Sequence, residues 1–324
     1  MTTATEQPRA QVQPQAQSQA PATIDIIISR HEDKTSSIKN GAPGDYIDNH
    51  MIHLSEKGLK GALETGKKEL TGEKPIAYAY VVTTDAIRTD QTAHNFLVGA
   101  GFEPGKNSDK ITRVKAPELG LSGYDWKAPG LPEFGNDQPV LCAYANTLMK
   151  DFYLKHKDSP QEEGKKHLVM GERALSLMSR VAMGVQELSQ KLKSGERGVL
   201  EIVVHAGTID ALQAAWRDLV KLTQNADGTY NVNVEQFDAH NMGQYMKGRI
   251  EYQPGTDPGQ IKIPLAIKGQ TYTLTFAELV QKIQGLGPIV QNSYQAGPKV
   301  EQSNAQPAMV QAAQAAAQPV AAKA

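Results

Sequence analysis

The segment that most constrains the fold is Ile24-Asp25-Ile26-Ile27-Ile28, an apolar run that ends in Ser29-Arg30-His31-Glu32. A short β-branched run of this kind reads as a strand buried on both faces, which is the signature of a parallel sheet covered by helices. In such sheets ligand chemistry gathers beyond the carboxyl ends of the strands. The run Leu200-Glu201-Ile202-Val203-Val204 repeats the arrangement and leads into His205-Ala206-Gly207. Two strands that each deliver a histidine to one sheet edge predict a two-histidine site.

Between and around these runs the elements alternate. Ser55 and Glu56 read as the start of a helix carrying Leu59, Ala62, Leu63 and Leu70. Ile76 to Val82 reads as a second buried strand, and Thr84-Asp85 as the cap of a helix through Ala93 and Leu97. Ile111 to Val114 suits a short strand, Val140 to Leu154 a helix, and Gly171 to Leu192 a strongly amphipathic helix. A helix over Thr208 to Leu222 and a strand over Val232 to Phe237 come next. Tyr245 to Tyr252 suits either a strand or a short helix. Ile261 to Ile267 and Thr271 to Thr275, joined by Lys268-Gly269, read as a hairpin, and Phe276 to Ile283 as a closing helix. This order predicts a three-layer α/β/α domain around a mostly parallel central sheet.

Composition bounds the rest. In 324 residues, the Gln-, Pro- and Ala-rich segments 1–22 and 291–324 hold too little apolar bulk to offset their ordering entropy, and are expected to be disordered. That leaves one domain over residues 23–290. Within it, residues 116–166 read as an insert lining the pocket, breaker-rich at first and carrying Tyr124, Trp126 and Phe134. A net charge of −1 with interspersed signs gives no footprint for nucleic acid or a membrane surface. The single cysteine, Cys142, excludes an internal disulfide and a multi-cysteine metal site. No secretory leader and no spanning segment is evident, so a cytoplasmic location is the expectation. Nothing in the sequence sets an oligomeric state.

Other residues join the Arg30-His31 pair. Arg88 falls in the first turns of the helix after the second strand, where it can point over the carboxyl edge, and Glu118 follows the Ile111 strand. Arg30, His31, Arg88, Glu118 and His205 can therefore converge on one crevice. His50 and His53 have a metal-compatible spacing but no evident third ligand.

In this order the motifs resemble the histidine phosphatase superfamily, also called phosphoglycerate-mutase-like. The matching residues are Arg30-His31-Glu32, Leu54-Ser55-Glu56-Lys57-Gly58, Thr84 through Arg88 with Gln91-Thr92-Ala93, Glu118, Gly171-Glu172, and His205-Ala206-Gly207-Thr208. The likeness covers roughly Ile24 to Leu222. It implies a phosphoglycerate-mutase-like fold and a phosphatase that hydrolyses phosphate monoesters through a phosphohistidine on His31. Arg30, Arg88 and a protonated His205 would bind phosphate oxygens, and Glu118 would protonate the leaving alcohol, with Glu172 and Asp125 as alternatives for the acid. The scheme implies no metal and no cofactor; its partner is a phosphorylated small molecule or other phosphoester. The sequence departs from the family pattern at Glu32, Thr84 and Ala206, where glycine, serine and glycine are usual. A carboxylate at Glu32 would repel phosphate unless it points away. The Gly-Trp segment of the sugar-phosphate mutases is missing, which favours hydrolysis over the phosphomutase alternative. A catalytically silent member that binds phospho-ligands or partners is the other reading, and Glu32 and Ala206 would suit it.

Overall fold

The computed structural model describes residues 20–35, 51–72, 74–116, 119, 164–224, 230–234 and 243–285. A seven-stranded sheet forms the middle layer, in the order β3-β2-β4-β1-β7-β8-β9. Its strands are β1 (Ala22–Arg30), β2 (Ile76–Thr83), β3 (Ile111–Lys115), β4 (Arg197–Val204), β7 (Tyr245–Tyr252), β8 (Lys262–Ile267) and β9 (Gln270–Thr275). The β3, β2, β4 and β1 strands run parallel, while β7, β8 and β9 extend the sheet antiparallel from β1. The expected three-layer α/β/α class is thus observed, with parallel pairing confined to the half of the sheet that bears the His31 and His205 strand ends.

Both faces of β1 are buried along its whole length, as its Ile-rich composition requires. One face packs under α1 (Glu56–Glu69) and α2 (Ile87–Gly99), with Ile27, Val81, Val199 and Val203 meeting Ala62, Ala93, Phe96 and Leu97. Ile24, Ile26, Ile28, Leu200 and Ile202 point the other way, toward α3 (Gly164–Lys191), α4 (Ala206–Trp216) and the closing helix α5 over residues 276–285. The α1 and α2 backbones approach closely enough that a Cβ on Gly66 would stand 2.0 Å from the Phe96 carbonyl oxygen.

Several local expectations change. The helix expected to run to Leu222 stops at Trp216; Asp218, at φ 54, turns the chain out of the helix. Val220–Gln224 instead forms β5, which pairs antiparallel with β6 (Tyr230–Val234) in a separate two-stranded sheet. Tyr245 to Tyr252 resolves as a strand because it adds to the free edge of β1. α3 begins at Gly164 rather than Gly171, so Glu172 lies beyond its first turn and a favourable helix-end position does not account for it. The β8–β9 hairpin turns through Lys268 (φ 49) and Gly269 (φ 83), the paired left-handed residues of a tight two-residue turn. Ala22, expected in the disordered N-terminal tail, is instead the buried first residue of β1, and the Ala20 carbonyl accepts the Gly195 N–H at 2.9 Å. Residues 1–19 and 291–324 of the expected tails, the Val140 to Leu154 helix, Asp125, Cys142 and His50 lie outside the described residues. Among the described residues no helix is long and apolar enough to cross a membrane.

Candidate active site

Parallel pairing places the two histidines side by side. Arg30 is in register with Val204, so His31 and His205 each follow the last residue of adjacent strands. The His31 N–H donates to the Val204 carbonyl at 3.0 Å, and the two imidazoles meet edge to face, with ring centroids 5.2 Å apart at 69°. Arg88, in the first turn of α2, reaches the same place: its guanidinium NH2 lies 3.4 Å from His205 Nδ1. Arg30, His31, Arg88 and His205 are all buried, Arg88 to 1% exposure. Four of the five residues expected to converge therefore do so at the carboxyl edge.

Glu118 lies outside the described residues, but both its flanks are anchored. The Ala116 N–H donates to the Thr83 carbonyl at 2.8 Å, and the Leu119 carbonyl accepts the Thr208 hydroxyl at 3.1 Å. Ala116 and Leu119 are thus tied to the end of β2 and to the first turn of α4. The side chain of Glu172 is likewise outside the described residues.

The electrostatics of the site follow from its burial. His31 is held well below the ordinary imidazole range, first by burial and then by the Arg88 and Arg30 charges. Its Nδ1 sits 2.8 Å from the Glu32 carbonyl oxygen, which can only accept. The ring proton is therefore on Nδ1, and Nε2 keeps its lone pair. Arg88 is brought down to about 10, by burial and then by Arg30, against an opposing pull from Asp85; it stays charged at neutral pH.

The remaining motif residues hold the loops of the site. The Glu32 N–H donates to Thr92 Oγ1 at 3.2 Å, while Thr92 donates to the Arg88 carbonyl at 2.9 Å. Gln91 accepts the Leu54 N–H at 2.8 Å and meets His53 Nδ1 at 3.0 Å. Ser55 caps α1 by accepting the Gly58 N–H at 3.0 Å and donates to Asp33 Oδ2 at 2.8 Å. Gly58 has no alternative there, since a Cβ would stand 2.0 Å from the Asp33 carbonyl oxygen.

Two departures from the motif pattern acquire a physical account. The Glu32 carboxylate turns toward α1, where Thr65 hydrogen-bonds it and a Cβ on Gly61 would stand 3.2 Å away. Burial, and then Asp33, raise its pKa. Thr84 does not cap α2 in the expected way: the N-cap is Ala86, and the Thr84 hydroxyl instead meets His205 Nε2 at 3.1 Å. Thr84 and Thr89 were not singled out as site residues by sequence reasoning. The signal available was the position of Thr84 directly after β2, whose last residue Thr83 is in register with Val203, two residues before His205.

No protein-family model and no curated protein matches the chain. Among solved structures it is similar to two mycobacterial hydrolases. One is 16% identical, with 81% of this chain and 97% of that chain covered at a TM-score of 0.39. The other is 17% identical, with 77% and 99% covered at a TM-score of 0.38. An ecdysone phosphate phosphatase from Bombix mori, solved with tungstate, is 15% identical, with 75% and 91% covered at a TM-score of 0.35.

Proposed function

We propose that this protein is a phosphatase of the histidine phosphatase superfamily that hydrolyses phosphate monoesters through a phosphohistidine on His31. The observation that carries the reading is the state of His31. Its buried, neutral imidazole donates from Nδ1 to a carbonyl and keeps the Nε2 lone pair, beside two arginines. A neutral imidazole is a competent nucleophile toward phosphorus, and it cannot attack once protonated. Arg30 and Arg88 provide planar, charged forks that match phosphate oxygens and stabilise the charge that spreads over them in transfer.

In this reading Nε2 of His31 attacks phosphorus and the P–O bond to the alcohol breaks. The leaving oxygen takes a proton from an acid, and water then hydrolyses the phosphohistidine, releasing inorganic phosphate and restoring His31. Glu118 is the favoured acid because it falls in sequence between Ala116, tied to the end of β2, and Leu119, tied to α4; Glu172 is the alternative. His205 lines the same pocket at the edge of the His31 ring. The direction taken by Glu32, toward Thr65 rather than the arginines, supports turnover over a silent binding role. The substrate is a phosphorylated small molecule or other phosphoester, and a cytoplasmic location and the absence of a cofactor remain part of the proposal.

The test is the intact mass of the full chain, quenched without acid after brief mixing with an aryl phosphate. Wild type is expected to show a transient phosphate-sized gain and to release phosphate, and His31→Ala to do neither while keeping its fold. Undiminished turnover in His31→Ala would sink the reading.

A further inference from the structure

The side chains around His205 form a hydrogen-bond run with a single direction. A guanidinium has no acceptor, so the Arg88 NH2 group 3.4 Å from His205 Nδ1 must donate, and Nδ1 must supply a lone pair. The ring proton is then on Nε2, which lies 3.1 Å from Thr84 Oγ1 and donates to it. The same hydroxyl accepts the Ala86 N–H at 3.2 Å. With both lone pairs engaged, its own proton turns to Thr89 Oγ1, also 3.2 Å away. Thr89 in turn donates to the Ala86 carbonyl at 2.7 Å, which ends the run on a group that can only accept.

The opposite tautomer breaks this run at two places. It sets an Nδ1–H against the N–H of Arg88, and it asks Thr84 to donate to Nε2 instead of to Thr89. Arg88, His205, Thr84 and Thr89 are all buried, where a mismatched donor pair cannot turn to water. A doubly protonated ring meets the same conflict at Nδ1.

We propose that Thr84 is a positioning residue: it fixes His205 as the neutral Nε2–H tautomer, so that the Nδ1 lone pair aims the Arg88 guanidinium into the pocket. His205 then acts on phosphate through Arg88 rather than as a cation of its own. The use of that aim rests on the phosphatase reading, whereas the tautomer does not. The run also explains why a hydroxyl, and not the motif's usual serine in particular, is needed at this position.

The experiment is a long-range proton–nitrogen correlation of the imidazoles in the full chain, ¹⁵N-labelled at histidine. The His205 signals are assigned by their loss in His205→Gln. Wild type and Thr84→Ser are expected to show a bare Nδ1 and a protonated Nε2 for His205 at neutral pH. Thr84→Val, which keeps the shape but not the hydroxyl, is expected to show mixed tautomers. Its kcat/KM on an aryl phosphate should fall on the order of 10-fold or more, by analogy with the loss seen when a partner that orients a metal-bound imidazole is removed, and Thr84→Ser should recover most of it. A doubly protonated or Nδ1–H ring in wild type overturns the proposal, and that spectrum needs no variant to fold. An unchanged tautomer in Thr84→Val overturns it as well. If wild type turns over no phosphoester, the phosphatase reading fails while the spectrum still decides the role of Thr84.

Discussion

Two buried arginines at opposite ends of the central sheet are handled in opposite ways. Arg197, at the start of β4, has its Nε 2.6 Å from Asp25 Oδ2, an NH1 group donating to the Lys74 carbonyl at 3.2 Å, and an NH2 group on the Leu70 carbonyl. Its charge is met by a carboxylate, and its donors tie β1, β4 and the α1–β2 connection together. Arg88, at the other end, is packed beside Arg30, and burial together with that like charge lowers its pKa to about 10. Holding two cations together in a buried place costs stability, and an incoming phosphate would offset that cost. Arg197 is matched to a carboxylate within the fold, whereas Arg88, with Asp85 as an opposing charge, is set beside a second arginine, as the phosphate-binding role proposed for it requires.

The sharpest way to break this contrast is to truncate each arginine in turn. Arg88→Ala is expected to lower kcat/KM on an aryl phosphate by about 100- to 1,000-fold, the usual loss of one transition-state donor, with little loss of thermal stability. Arg197→Ala should do the reverse. Among the described residues it leaves buried Asp25 with only Arg249 as a cationic partner, at 3.8 Å, and should cost about 3–5 kcal/mol while kcat per folded molecule is unchanged. Denaturant unfolding and steady-state kinetics on both variants check this; a large stability loss in Arg88→Ala with normal kinetics would make Arg88 structural.

A smaller effect sharpens the same contrast. Inorganic phosphate at about 100 times its dissociation constant should raise the stability of wild type by about 2.7 kcal/mol, because it binds only the folded site. Arg197→Ala should gain as much as wild type, and Arg88→Ala should gain little. Melting curves with and without phosphate read this directly, and equal gains in all three proteins would place phosphate elsewhere.

Much of this architecture is legible in the sequence because single residues carry it. The uninterrupted apolar run of β1 dictates a strand covered on both faces, and the matching run of β4 sets His205 beside His31 once the two strands pair in parallel. Gln91, Thr92, Ser55 and Gly58 sit in motifs, and each has one mechanical task that holds a loop to α1 or α2. What escaped sequence reading depends on long-range partners. Val220–Gln224 continues a helical pattern locally and becomes a strand only because β6 returns to pair with it. Thr84 looks like a helix cap until His205 arrives from 121 residues away to claim its hydroxyl.

The β4 run also contains a residue that the pairing turns into a liability. Glu201 lies in one cross-strand row with Ile27, Val81 and Arg113, on the face covered by α1 and α2. It is 0% exposed, and neither carboxyl oxygen has a hydrogen-bond partner among the described residues. Burial drives its pKa well above the ordinary carboxylate range, with Arg113 opposing from two strands away. The native state therefore keeps the proton that the unfolded chain releases above a pH of about 4.3. Between those two pKa values the native state binds more protons, so this residue's contribution to stability falls as pH rises, by about 1.4 kcal/mol per pH unit. Glu201→Met keeps a straight chain of similar reach without the charge. It should match or slightly exceed wild type near pH 4 and pull ahead as pH rises above the unfolded carboxyl's range, with kcat unaffected because Glu201 lies four residues short of His205 on β4. Denaturant midpoints across that range check it, and parallel pH profiles for the two proteins would mean that Glu201 is ionised and paired in the native state.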